Sequence, residues 1–155
     1  MIDLQPMSET EFEAFMQISM ADHAAGQVKA GIWQADQAEA NISGLRAKFL
    51  PQGLATPGHH FFNIQETASD GVVGGLWYML DEEEGQIFVV DIQVDPDYRR
   101  RGYGEHAFLA MEVQARQLGV KTIGLHVFEH NTPARCMYQK LGYLGDGDSM
   151  SKRIG

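Results

Sequence analysis

Val94-Asp95-Pro96-Asp97-Tyr98-Arg99-Arg100-Arg101-Gly102-Tyr103-Gly104 is the stretch on which the fold turns. An apolar run, Ile87–Val94, leads into a turn that carries three arginines and two glycines, and a helix-patterned segment follows. Strand, glycine-rich turn and helix in that order build an anion site. Glycines let the backbone come close to a ligand, and a helix N-terminus aims free N–H groups at it. Arginines add charge and forked donors. The expectation is a phosphate cradle.

Known glycine-rich loops narrow the choice. A Walker loop needs a Gly-Lys pair, and the chain has none. The looser dinucleotide fingerprint tolerates Gly102-Tyr103-Gly104 followed by Ala107, but it belongs in the first βα turn of its domain, and this loop lies two-thirds along the chain. The pattern that fits is Arg/Gln-x-x-Gly-x-Gly/Ala, read here as Arg99 to Gly104. It resembles the acetyl-CoA pyrophosphate loop of the GNAT family of N-acetyltransferases. Alone, the same six residues also describe a helix N-terminus with a basic turn. A second constellation strengthens the resemblance: a strand, then Asn-x-x-Ala-x-x-x-Tyr-x-x-Leu-Gly-Phe/Tyr. Asn131, Ala134, Tyr138, Leu141, Gly142 and Tyr143 match it position by position. The resemblance covers residues 72–154 well, and residues 1–71 in layout more than in motif.

Composition agrees with this reading. A chain of 155 residues suits one domain, residues 1–155, with one substantial core. No apolar run approaches the ~18 residues of a membrane span, and the N-terminus lacks a basic-then-apolar leader, so a cytoplasmic protein without membrane partners is expected. The formal charge of −9 argues against broad nucleic-acid binding and disfavours a nucleic-acid-modifying enzyme. Cys136 is the only cysteine, which leaves no internal disulfide and no thiolate zinc site. The histidines have no zinc-like spacing, so no metal is expected.

Along the chain, Ile2 and Leu4 alternate in a short first strand, and Ser8-Glu9-Thr10-Glu11 has the form of a capping box. Phe12, Phe15, Met16, Met20 and His23 follow at helical spacing until Gly26 and Gly31 interrupt. A second helix is predicted over about Asp36–Leu50, burying Ala38, Ile42, Leu45 and Phe49. His60–Glu66, Val72–Leu80 and Gln86–Val94 read as antiparallel strands joined by short polar links. A helix at Tyr103–Leu118, a strand at Thr122–Val127, a helix at Thr132–Leu141 and a strand pair near Tyr143–Leu144 and Ser149–Arg153 complete the chain. Gly119 and Gly142 stand where helices end. The fold class is α/β: a mixed, mostly antiparallel six- to seven-stranded sheet flanked by helices, in the order of the GNAT-like acyl-CoA N-acyltransferase fold. The resemblance implies that Gln86–Val94 and Thr122–Val127 splay apart and that a pantetheine arm pairs with the first of them as an added strand.

The resemblance implies an acetyl-CoA-dependent N-acetyltransferase, with acetyl-CoA as acyl-donor cosubstrate. The acceptor is a primary amine of a small molecule or peptide, attacking directly through a tetrahedral intermediate. The N–H groups of Arg100, Arg101, Gly102, Tyr103 and Gly104 line the pyrophosphate, Arg99 stands where the family has Gln or Arg, and the main chain of Ile92 and Val94 holds the pantetheine. Not all three arginines can point inward. Asn131 either bonds the pantetheine or caps the helix that begins at Thr132-Pro133. Tyr138 is the family's acid for the departing thiolate. A phenol of pKa near 10 can serve a thiol near 8.5, and an amphipathic tyrosine packed under the sheet is the plain alternative.

The general base has the weakest signal. Strict alternation places Ile87, Val89, Asp91 and Gln93 on one face of their strand and Phe88, Val90, Ile92 and Val94 on the other, the second being the core face. Asp91, among apolar neighbours, is then a candidate base with a raised pKa, or a structural acceptor. A bulge would change its facing. Trp33 and Trp77-Tyr78 are candidates for an aromatic wall beside a cation, with core packing an equal account of Trp77. His60 and His126 can line a cleft or serve structure. Cys136, two residues from Tyr138 in a helix, has no motif that makes it a nucleophile. A non-catalytic acyl-CoA-binding or regulatory domain is the alternative function, disfavoured because a pure binder needs no acid at Tyr138. Dimers are common among similar proteins, so a homodimer is within the expectation, though no residue identifies an interface.

Overall fold

The structure, a computed structural model, describes residues 2–128, 131–145 and 147–155. In chain order the elements are β1 (Ile2–Pro6), α1 (Glu9–Lys29), α2 (Ala38–Phe49), β2 (His59–Glu66), β3 (Val72–Asp81), β4 (Gln86–Val94), α3 (Tyr103–Gln117), β5 (Thr122–His126), α4 (Thr132–Lys140) and β6 (Ser149–Arg153). Contacts group them into two compact units, Met1–Met7 with Gly58–Gly155, and Ser8–Pro57.

In the helical unit, Ser8 and Glu11 close the capping box. Ser8 N–H donates to Glu11 Oε1 at 2.8 Å and Glu11 N–H to Ser8 Oγ at 3.2 Å. The break predicted at Gly26 is absent, because an interior glycine weakens a helix by about 1 kcal/mol without ending it. α1 runs on to Lys29, and the chain turns where Gly31 takes a φ of +77°. In α2 the predicted stripe is only half-buried, and Phe49 is exposed, whereas Leu50, just past the helix, is buried. Arg46 joins α2 to α1 by an ion pair to Glu13 at 2.7 Å and by lying over the Phe12 ring.

The sheet unit has six strands in sequence order, all neighbours antiparallel except the parallel pair β4–β5. The predicted seventh strand is reduced to one bridge between Leu144 and Ser151. Leu76, Tyr78, Ile87, Val89, Ile123 and Leu125 form the sheet side of the core, with Phe108 and Met111 of α3 and Tyr138 of α4 packed on them. Each such side chain contributes about 1.5–3 kcal/mol when fully buried. Among these apolar groups lies Glu112, 2% exposed, which accepts from Tyr143 Oη at 3.2 Å and Lys152 Nζ at 2.8 Å and so ties α3 to β6.

β4 corrects the predicted alternation. Tyr78 pairs with Val89 and Trp77 with Asp91, so Val90 is an extra residue in a bulge. Ile87 and Val89 face the core before the bulge and Ile92 packs against the core after it, while Phe88, expected in the core, is 43% exposed. Asp91 therefore does not share a face with Ile87 and Val89; it lies on the Trp77 side. Close approach of β3 also requires Gly74, where a Cβ would collide with the Gln93 carbonyl oxygen.

Candidate active site

β4 and β5 pair only from Gln86–Thr122 to Val89–Leu125, so Val90–Val94 has no strand partner on that side among the described residues. Which backbone groups this exposes follows from register. Gly74 stands opposite Val94, and Asp95 N–H donates to Val73 O at 2.8 Å, which makes Gly74–Val94 a non-hydrogen-bonded pair. The N–H and C=O of Val94 thus point away from β3, towards the open edge. Ile92, two residues back and opposite Leu76, points the same way. The Val94 carbonyl already accepts from Arg99 Nε at 2.9 Å, leaving the Val94 N–H and both groups of Ile92.

The chain then turns through Pro96–Tyr98 into the arginine loop. Arg100 (φ +63°) and Gly102 (φ +82°) are both left-handed, and Gly102 is the N-cap of α3. Backbone curled in this way gathers N–H groups on one side. None of the five N–H groups from Arg100 to Gly104 donates a hydrogen bond among the described residues. The arginines divide their work. Arg99 is tied to Val94 O, the Arg101 guanidinium lies over the Tyr98 ring at 5.6 Å, and the exposed Arg100 side chain has no partner among the described residues. Gly104 has no Cβ where one would press on Met137 Sδ at 3.2 Å, so the first turn of α3 fits closely against α4.

On α4, Asn131 is the N-cap, its Oδ1 accepting from Ala134 N–H at 3.4 Å, with Pro133 in the first turn. The capping role predicted for it is present, and the exposed amide nitrogen is not used by the cap. Two turns on, Tyr138 is 8% exposed between Phe108 and Tyr143. Burial, and secondarily the Asp91 carboxylate, push its hydroxyl up to about 12. That electrostatic link brings together α4 and the unpaired part of β4. Asp91 itself accepts from Gln93 Nε2 at 3.2 Å.

The Trp77 side of the sheet is aromatic and polar. Trp77 stacks on Phe61 at 5.0 Å and donates from Nε1 to His59 Nδ1 at 3.0 Å. Burial, then the neighbouring His60, lower the His59 pKa, and an imidazole that accepts at Nδ1 is neutral with its proton on Nε2. His60 faces the other way, against Tyr78. Tyr78 belongs to the core rather than to a wall: it donates to Gln114 Oε1 at 2.9 Å, and burial pushes it up to about 12. His126 lies 3.8 Å from Asp148, and His130 falls outside the described residues. Trp33 packs edge-on against His23 within the helical unit, and Cys136 is exposed on α4. Among the described residues no three His, Cys, Asp or Glu side chains are grouped to hold a metal ion. Alternation had already set Gln93 beside Asp91, but the sequence pattern had no signal for Glu66, which accepts from the Tyr103 hydroxyl.

The model of the acetyltransferase (GNAT) family matches residues 14–143. The uncharacterized N-acetyltransferase YycN of Bacillus subtilis is 34% identical over 99% of both chains. Its crystal structure superposes with a TM-score of 0.89 at 32% identity, over 94% of each chain. The PaiA N-acetyltransferase of Thermoplasma acidophilum, solved in complex with coenzyme A, shares the fold at 16% identity, with a TM-score of 0.69 over 99% of each chain.

Proposed function

Because this chain belongs to the GNAT acetyltransferase family, we propose that it moves an acetyl group from acetyl-CoA to a primary amine of a small molecule or peptide, without an acyl-enzyme. The observation that carries the reading is the adjacency of two unused backbone arrays. The Arg100–Gly104 N–H groups lie just beyond the open edge of β4. Such a pair suits a ligand with a diphosphate at one end and amides along its arm. Arg100 is the guanidinium left for a phosphate, and the spare Asn131 amide and the Ile92 and Val94 edge groups suit the arm. Acetyl-CoA supplies a thioester, an acyl group already activated towards an amine.

The remaining chemistry falls to side chains. Asp91 accepts the proton of the incoming ammonium, directly or through water, with Gln93 Nε2 orienting the carboxylate. Tyr138 donates its proton to the departing sulfur, and the second proton, shed by nitrogen as the tetrahedral intermediate collapses to the amide, restores the phenol. A phenol at about 12 is a weak acid for a thiol near 8.5, but burial raises a thiol as well, and one charge in the site moves during the reaction. The Asp91 carboxylate opposes ionisation of Tyr138, so protonation of Asp91 lifts that opposition as the thiolate forms. Base and acid are thereby coupled in the order the reaction needs. The neutral His59 offers an Nε2–H donor, and Trp77 an apolar face, on the Asp91 side of the sheet.

Release of free thiol from acetyl-CoA, measured against a panel of amines and amino-terminal peptides, tests the proposal. Turnover with one amine class supports it. Tight binding of acetyl-CoA with no turnover on any amine would favour a binding or regulatory domain instead.

A further inference from the structure

A diphosphate cradle at Arg99–Gly104, the reading on which this inference rests, has to be kept in shape. Its backbone is of a kind that a free chain avoids at Arg100, which carries a side chain at a φ of +63°. Among the described residues, the five N–H groups collected on this curled backbone also make none of the internal bonds that would hold them. A loop that takes its binding shape only part of the time binds its ligand more weakly by that fraction. Something must stabilise it from outside.

The fold supplies this through Glu66, the last residue of β2. The Tyr103 hydroxyl, from the first residue of α3, donates to Glu66 Oε2 across 37 residues of sequence. The other carboxylate oxygen accepts from Ser69 Oγ at 2.9 Å. The β2–β3 turn is itself firmly built: Glu66 N–H donates to Gly71 O, Asp70 N–H to Glu66 O, and Gln65 Nε2 to Asp70 O. Tyr98 packs edge-on against Tyr103 at 5.9 Å, and Arg101 lies over Tyr98. The Tyr103 and Ser69 hydrogen bonds hold the Glu66 carboxyl below its ordinary range, so it is ionised at neutral pH. A carboxylate beside a diphosphate loop repels the ligand. Its place there calls for a structural reason, and the brace gives one.

We infer that Glu66 is a positioning residue for cofactor binding, holding the arginine loop in its anion-ready shape through the Tyr103 hydroxyl. The test compares Tyr103→Phe, Glu66→Leu, Glu66→Gln and the double variant Tyr103→Phe/Glu66→Leu. Tyr103→Phe and Glu66→Leu each raise the Kd for acetyl-CoA about five- to ten-fold, and the double variant is no worse than either, since both remove one shared bond. Glu66→Gln keeps an oxygen acceptor for the phenol and falls between wild type and Glu66→Leu. KM follows Kd, and kcat at saturation changes less than KM does. In the ligand-free protein, amide order parameters of Arg100–Gly104 fall in Tyr103→Phe, whose packing is otherwise retained. Unchanged order parameters in that variant, or additive effects in the double variant, overturn the inference. Failure of acetyl-CoA to bind the wild-type protein would remove the cofactor reading, while the ligand-free comparison still decides the brace.

Discussion

Replacing Tyr138 by Phe removes one oxygen and leaves the ring that packs 5.2 Å from Phe108 and 6.3 Å from Tyr143. The hydroxyl has no hydrogen-bond partner among the described residues, so no buried group is orphaned by its loss. Stability should change by less than about 1 kcal/mol. Catalysis should suffer far more, because a general acid accounts for about 10²–10⁴ in rate. A fall in kcat of about 10²–10³, or ~2.7–4 kcal/mol of barrier, is expected, with KM for acetyl-CoA little altered. The pH profile gives a second reading. With its pKa pushed up to about 12, Tyr138 stays protonated through the mildly alkaline range, so loss of its proton puts no descending limb there. Thiol release measured for both proteins across that range, beside a thermal melt, decides the matter. A kcat within about three-fold of wild type would refute the acid role, and so would a rate loss matched by a loss of stability.

Three further predictions concern stability. Glu112→Ala leaves Lys152, 24% exposed, and the Tyr143 hydroxyl without their acceptor, and should cost about 3–5 kcal/mol, seen as a melting point lower by roughly 10 °C. Lys140→Ala, which breaks the ion pair to Glu105 from a side chain 71% exposed, should cost less than about 1 kcal/mol, and equal effects in the two variants would contradict this ranking of the pairs. Alkaline pH should destabilise the fold. Tyr78 and Tyr138 rise from an ordinary 10.0 to about 12 on folding and Tyr143 rises further, so the unfolded chain ionises first. Their contribution is complete below about pH 10 and is lost as pH rises through about 12, which a urea midpoint followed against pH will show.

Element boundaries were legible where local chemistry dictates them. Ser8 and Glu11 mark the start of α1 in the sequence as they do in the structure, and Asn131-Thr132-Pro133 marks the start of α4. Gly26 misled because a glycine permits a break without imposing one, whereas Gly31 stands where a left-handed residue is needed. The bulge in β4 was hidden by its own composition. Gln86–Val94 alternates plausibly in either register, since Ile87, Val89, Val90, Ile92 and Val94 are all apolar and branched. Tyr138 was legible because a motif fixes its place, but its buried setting and its coupling to Asp91 depend on three elements distant in sequence. Glu66 was not legible at all, since its partner lies 37 residues away and only the folded sheet brings them together.

Amide NMR of the isotope-labelled protein titrated with acetyl-CoA tests the central claim most directly. The account predicts that the largest shifts fall on the N–H signals of Arg100–Gly104 and on Ile92 and Val94, the donors with no partner among the described residues. Saturable binding that leaves those signals unmoved, or no binding at all, would contradict it.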